Sequence, residues 1–203
     1  MTERTEYGRI IDGKIVEYPV FELHIKNRAH PMEWYTEVVH LQKPAIDERH
    51  ERLHQELEIT GKVIVAKYVA VPLSVDAILD KLFYPEGRFN HENPMEEVQP
   101  VELAIGDIDP ELVSIITERV SQQVGQALDA FAKTRNYDDV KSVATYVNSS
   151  VPQFKAEAER IIALRDQSYA NLYQFIQEVA TGVKPVPKSY AEVQVVLPEL
   201  TWE

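Results

Sequence analysis

The sequence predicts an α+β fold: a small N-terminal antiparallel sheet module followed by a C-terminal three-helix domain. Three observations carry this. β-branched and aromatic residues gather in the first third around two glycine turns, a polar stretch punctuated by proline and asparagine follows, and the remainder places apolar residues at helical spacing. The expected division is residues 1–84 for the α+β module, 85–106 for a linker and 107–203 for the helical domain.

In the first third, Arg9-Ile10-Ile11 and Lys14-Ile15-Val16 flank Asp12-Gly13, a dipeptide that accepts the positive φ angles of a tight hairpin. Pro19 is expected to end the second strand, because proline cannot donate to a ladder. Phe21 to Arg28 has room for one or two helical turns, and Trp34 to Leu41, with Tyr35, Thr36, Val38 and Val39, reads as a strand. A second hairpin is expected from Arg52 to Ile59 and from Lys62 to Val71, turning at Thr60-Gly61. Ser74 is a good N-cap for a helix through Phe83, with Val75, Ile78, Leu79 and Leu82 on one stripe.

Pro85, Gly87, Asn90, Asn93, Pro94 and Pro100 break up the next stretch, which reads as a linker or a segment laid across a neighbouring subunit. Asp109-Pro110-Glu111 then supplies an N-cap acceptor, a proline at the first helical position and a carboxylate facing the positive helix end. That helix is expected to reach about Thr134, with Val113, Ile116, Val120, Val124, Ala127 and Phe131 along one side. The stripe drifts from a strict heptad, so it reads as internal core before oligomer seam. A shorter helix is expected from Asp138 to about Asn148. A long one opens at Ser150 and Pro152, carries Phe154, Ala158, Ile161, Ile162, Tyr169, Leu172, Tyr173 and Ile176, and closes at Gly182. Lys184-Pro185-Val186-Pro187 stops it, and Ser189 to Leu197 has room for a short helix.

Composition narrows the function. Acidic residues number 33 against 21 basic, a net charge of −12, which disfavours a nucleic-acid face built on clustered cations. With no cysteine, disulfides, thiolate nucleophiles and cysteine-based zinc sites are excluded. The amino-terminal stretch Met-Thr-Glu-Arg-Thr-Glu lacks the apolar run of a signal peptide, and the richest apolar run, Val63 to Leu73, is interrupted by Lys67 and Pro72. No membrane association is expected.

One pattern has a catalytic look. His50-Glu51-Arg52-Leu53-His54 matches H-E-x-x-H, in which two histidines on one helical face grip zinc and the glutamate activates water. The surroundings, Asp47-Glu48-Arg49 and Gln55-Glu56, leave no apolar stripe to bury such a helix. Leu57 and Thr60 stand where the longer motif needs glycine and a third histidine. If the segment enters the second hairpin, the two histidines lie about 13 Å apart, too far for one ion. Asp107 with Asp109, and Asp138 with Asp139, read as helix caps before calcium ligands. His24, His30, His40 and His91 need no special role, and Trp34 and Trp202 look isolated. No catalytic, cofactor-binding or metal residue is assigned, and no enzyme or cofactor is expected.

Leu128-Asp129-Ala130-Phe131-Ala132, Tyr137-Asp138-Asp139-Val140, Tyr146, Phe154-Lys155-Ala156-Glu157-Ala158 and Leu164-Arg165-Asp166 form a series that resembles a known family. It is a small helical domain of unknown function that closes many proteins encoded in phage and prophage tail-fibre regions. The ending from Gly182 to Pro187 is similar too, and the resemblance covers about residues 126–200. Ile11 to Pro19 and Val69 to Leu73 resemble the N-terminal module that often precedes this domain, although charged residues Asp47 to Glu58 replace its usual proline-rich middle. The resemblance implies a structural protein of the phage tail, a tail-fibre or baseplate component assembled in the host cytoplasm and residing in the virion. It would act by contacts with other tail or fibre proteins, with homo-oligomerisation left open. A tail-fibre assembly chaperone absent from the mature virion is the alternative, and a zinc hydrolase built on His50 and His54 a third.

Overall fold

The computed structural model describes residues 5–28, 30–90 and 93–203. His91 and residues 1–4 of the amino-terminal stretch lie outside these. The chain is α+β, and it divides into two compact units, Met1–Pro72 and Leu73–Glu203.

The first unit holds β1 (Glu6–Ile11), β2 (Lys14–Phe21), α1 (Glu22–Asn27), β3 (Thr36–His40), β4 (Glu51–Thr60) and β5 (Val63–Pro72). The strands form one sheet in the order β2-β1-β3-β5-β4. Asp12 and Gly13 close the first hairpin with φ of 50° and 72°, as the dipeptide requires. The second hairpin pairs Thr60 with Val63, so its turn is Gly61-Lys62, one residue later than expected, with Gly61 at φ 66°.

The sheet is mixed, not wholly antiparallel. β1 runs antiparallel to β2 and β3, and β4 to β5, but β3 and β5 are parallel from Val38↔Ile64 to His40↔Ala66. Residues 41–50 carry the chain out to the edge position of β4, and the tight turn returns it between β3 and β4.

Pro19 does not end β2 either. The register steps from Arg9↔Glu17 to Tyr7↔Val20, so Tyr18 and Pro19 together occupy the space opposite Gly8. A bulge on an edge strand is where a missing N–H is tolerated; the Tyr18–Pro19 peptide bond is cis. Gly8 is required by packing: a Cβ there would lie 2.4 Å from Ile64 Cδ1 and 3.3 Å from the Glu17 carbonyl oxygen. Strand alternation yields two small cores. Val38, Ile64 and Ala66 pack with Ile10, Ile15, Tyr18 and Leu57, while Val20, Ile25 and Tyr35 pack with Tyr7.

The second unit contains α2 (Val75–Phe83), α3 (Pro110–Lys133), α4 (Val140–Ala144), α5 (Pro152–Ala180) and α6 (Tyr190–Gln194). The three expected helices are present as α3, α5 and α4, the last extended by a 3-10 turn, Thr145–Asn148. α2 was expected in the sheet module. Its Val75, Ile78, Leu79 and Phe83 instead share a core with Leu112, Val120 and Leu172, which moves the boundary from residue 84 to Pro72. Residues 85–106 likewise belong to this unit and do not link two others: the Val101 N–H donates to the Phe83 carbonyl at 2.9 Å, and Leu103 and Ile105 pack on the core.

The helix starts are held by the expected caps. Ser74 accepts from the Ala77 N–H at 3.2 Å, Asp109 from Glu111 at 2.8 Å and Asp139 from Ser142 at 2.7 Å. The buried stripes are shifted from those expected. Leu112, Leu128 and Ala132 are buried on α3 while Ala127 is exposed, and on α5 Leu164, Phe175 and Val179 are buried while Phe154 and Tyr173 face solvent. Gly182, at φ 73°, caps α5. The C-terminal segment lies on the helices. Arg160 donates to the Thr201 carbonyl at 2.8 Å, Asn171 to the Val196 carbonyl at 2.8 Å, and the Tyr190 N–H to Asp76 at 2.7 Å. Trp202, expected to be isolated, stacks on Phe131 with ring centroids 4.4 Å apart.

Candidate functional site

The zinc-like motif does not form the constellation its spacing suggests. His50 lies in the turn before β4, and Glu51 to His54 are in the strand, so the helix that brings residues four apart together is absent. His50 Nε2 is 3.4 Å from Asp47, the Glu51 carboxylate accepts from the Asp47 N–H at 3.1 Å, and His54 is exposed. Asp47 holds this turn: hydrogen bonds from the Arg49 side chain and backbone keep its carboxyl well below the usual carboxylate range. Among the described residues no group of three or more His, Asp or Glu is placed to hold a metal ion. Asp107 accepts from the Ala104 N–H at 2.9 Å and so closes the short 3-10 turn Ile105–Asp107, while Asp109 caps α3 as expected.

A polar cluster in the sheet draws one side chain from each strand. Gln55 of β4 donates to the Tyr18 hydroxyl of β2 at 2.6 Å, and Tyr18 donates to the Glu6 carboxylate of β1. That carboxylate is 3.4 Å from His40 Nε2 of β3, and His40 Nδ1 meets the Tyr68 hydroxyl of β5 at 2.6 Å. Desolvation first, and then the bond to Glu6, push the Tyr18 hydroxyl up to about 12. The β1–β3 seam is the sheet's shortest ladder, paired at Tyr7↔Glu37 and Gly8↔Thr36, and the cluster crosses it. Its contribution is structural: it fastens the β1/β2 hairpin to the other three strands. His30 is also engaged, its Nδ1 2.8 Å from the Tyr35 hydroxyl, which donates to Glu17 at 3.0 Å. His30 and His40 thus make structural hydrogen bonds within the sheet unit, to Tyr35 and Tyr68.

The helical unit presents a surface recess of about 410 Å³ lined by Arg135, Tyr137, Tyr146, Gln153, Phe154 and Glu157, among others. α3 ends just before it, Asn136 at φ 62° turns the chain, and Tyr146 sits on the 3-10 turn after α4. The first turns of α5 place Phe154 and Glu157 opposite. Three rings form a continuous wall: Tyr137 to Tyr146 at 5.7 Å and Tyr146 to Phe154 at 5.5 Å between centroids. Glu157 anchors the floor, accepting from Tyr137 at 2.6 Å, Gln153 at 3.1 Å and Arg135 at 3.2 Å. The Tyr137 hydrogen bond, foremost, holds the Glu157 carboxyl below its ordinary range, while desolvation, followed by that bond, pushes Tyr137 up to about 12. Comparison with protein-family models, curated proteins and solved structures finds no match to this chain.

A second concavity, about 100 Å³ and almost wholly apolar, lies among Leu79, Ile105, Ile116, Phe175, Ile176 and Val186. Thr117 is the polar side chain in its lining, too little to orient a ligand by convergent polar contacts, and the concavity is continuous with the helical core. The recess is the better candidate for a functional surface. Sequence reading named Tyr137, Tyr146, Phe154 and Glu157 but had no means to assemble them. Arg135 and Gln153 were missed; the signal available was their spacing of four or fewer residues from named positions. No helix of the described residues is long and apolar enough to cross a membrane.

Proposed function

We propose that the chain is a structural protein of a bacteriophage tail, a tail-fibre or baseplate component, acting by protein–protein contacts through the recess of its helical unit. One observation supports this above the others. The residues of the tail-fibre-region resemblance that are not needed for the core, Tyr146 and Phe154, are 40% and 39% exposed and stand side by side. Exposed rings flanked by arginine and amides are the composition of docking surfaces, because they offer large rigid contact area at low entropic cost. The net charge of −12 keeps the free chain soluble before it meets its partner, a neighbouring tail or fibre protein.

The test is quantitative mass spectrometry of gradient-purified phage particles from cells producing this chain. A fixed copy number relative to the major tail protein supports the reading. Presence in the infected lysate with absence from particles replaces it with the assembly chaperone.

A further inference from the structure

Trp202 meets three side chains at the end of α3. Its ring stacks on Phe131 with centroids 4.4 Å apart, its indole N–H donates to the Thr134 hydroxyl at 3.0 Å, and the Arg135 guanidinium lies 5.7 Å from its ring centroid. The preceding residue is tied to α5: Arg160 donates to the Thr201 carbonyl and to the Thr201 hydroxyl, each at 2.8 Å. Thr201 and Trp202 therefore bridge the two helices between which the recess lies. Thr134 and Arg135 line that recess; Trp202 does not.

Arg135 is the donor to Glu157 that most needs support. Gln153 sits one turn before Glu157 on the same helix, and the Tyr137 hydroxyl bonds to the carboxylate at 2.6 Å. Arg135 reaches it at 3.2 Å from 22 residues away, with a side chain 47% exposed against 11% for Glu157. A long, half-exposed cation loses rotamer freedom when it pairs, so the pair alone holds it weakly. An aromatic face attracts a guanidinium and restricts it, and the stack on Phe131 with the bond to Thr134 fixes the indole that supplies this face. From this we infer that Trp202 is a positioning residue for the recess, holding Arg135 against Glu157 from outside the lining; its consequence for docking rests on the recess being the contact surface, whereas the coupling itself belongs to the free chain. The Glu157 carboxyl reports it. Tyr137 foremost, and also the Arg135 charge, hold that carboxyl below its ordinary range, so losing Arg135 from its place raises it.

The experiment is an NMR pH titration of the Glu157 side chain in the full chain, with circular dichroism confirming that each variant is folded. Arg135→Gln is expected to raise the midpoint by removing the cation. Trp202→Leu keeps an apolar side chain on Phe131 but offers no ring to a cation, and it is expected to raise the midpoint in the same direction. Trp202→Phe keeps a ring and loses the indole N–H, and it is expected to stay near the wild-type midpoint. In the Arg135→Gln background, Trp202→Leu is expected to move the midpoint no further. A midpoint unmoved by Trp202→Leu, one that Trp202→Phe raises as far as Trp202→Leu does, or one that Trp202→Leu moves equally with and without Arg135 overturns the inference. Incorporation into purified particles tests the other half: a Trp202→Leu chain with the raised midpoint, incorporated at the wild-type ratio, supports the coupling and counts against the recess as the docking surface.

Discussion

Tyr18 on β2 accepts a 2.6 Å hydrogen bond from the Gln55 amide on β4, which ties together the two outer strands of the five-stranded sheet. The same hydroxyl donates to Glu6, and Glu6 leads through His40 to Tyr68, so a chain of side chains reinforces the seam where the ladder is shortest. Such networks stiffen a fold when every member is satisfied and weaken it when one is removed.

Tyr18→Phe is therefore expected to destabilise the first unit by about 1–3 kcal/mol, the cost of leaving two partly buried polar groups without their partner. Denaturant unfolding measures it. The alkaline side offers an independent check. Tyr18 is an acid whose folded pKa, about 12, lies above the unfolded value of about 10. Its contribution is full below the unfolded value and is lost as pH rises towards the folded one. Ultraviolet titration is expected to show late ionisation from both Tyr18 and Tyr137, with Tyr18→Phe removing one tyrosine's share of it.

Gly8→Ala is expected to cost about 1–3 kcal/mol by overpacking against Ile64 and the Glu17 carbonyl. Ile64→Val removes the Cδ1 atom nearest the new methyl. The double variant is expected to be more stable than the sum of the two single losses implies, and a double-mutant cycle on urea midpoints reads that coupling.

Glu157→Gln is expected to cost about 1–2 kcal/mol at neutral pH, since three donors converge on a charged acceptor. The folded carboxyl is depressed, so its stabilisation is present above the unfolded carboxylate value and fades as pH falls through the folded one. Wild type and variant are expected to converge in stability under acid, as thermal unfolding across pH will show.

Zinc added to the chain is expected to leave its melting temperature unchanged, and His50→Ala with His54→Ala to leave its metal content unchanged, because His50 lies in a turn and His54 in the strand after it, without the helix that would set both on one face. Calorimetric titration with zinc measures this.

Local chemistry was legible from the sequence. Asp12-Gly13, the Ser74 cap and Asp109-Pro110-Glu111 each place their own signal within a few residues, and each element lies where that signal put it. Long-range geometry was not. Nothing in Thr36–His40 specifies a parallel partner; that follows from residues 41–50 passing the place β5 later fills. Pro19 misled because proline's penalty depends on whether its strand is an edge, a tertiary property. The boundary moved to Pro72 because the stripe of α2 fits either neighbour, and periodicity does not say which. The recess shows the same limit: Tyr137 and Phe154 carry no mark of adjacency until α4 and its 3-10 turn bring Tyr146 between them.

The proposed role rests on that recess, and copy number in purified particles tests it most directly. Tyr146→Ala with Phe154→Ala removes two exposed rings and is expected to change folding stability by about 1 kcal/mol, as near-surface substitutions do. Quantitative mass spectrometry of gradient-purified particles is then expected to find the wild-type chain at a fixed ratio to the major tail protein and the variant strongly depleted. A folded variant incorporated at the wild-type ratio would contradict the role given to the recess.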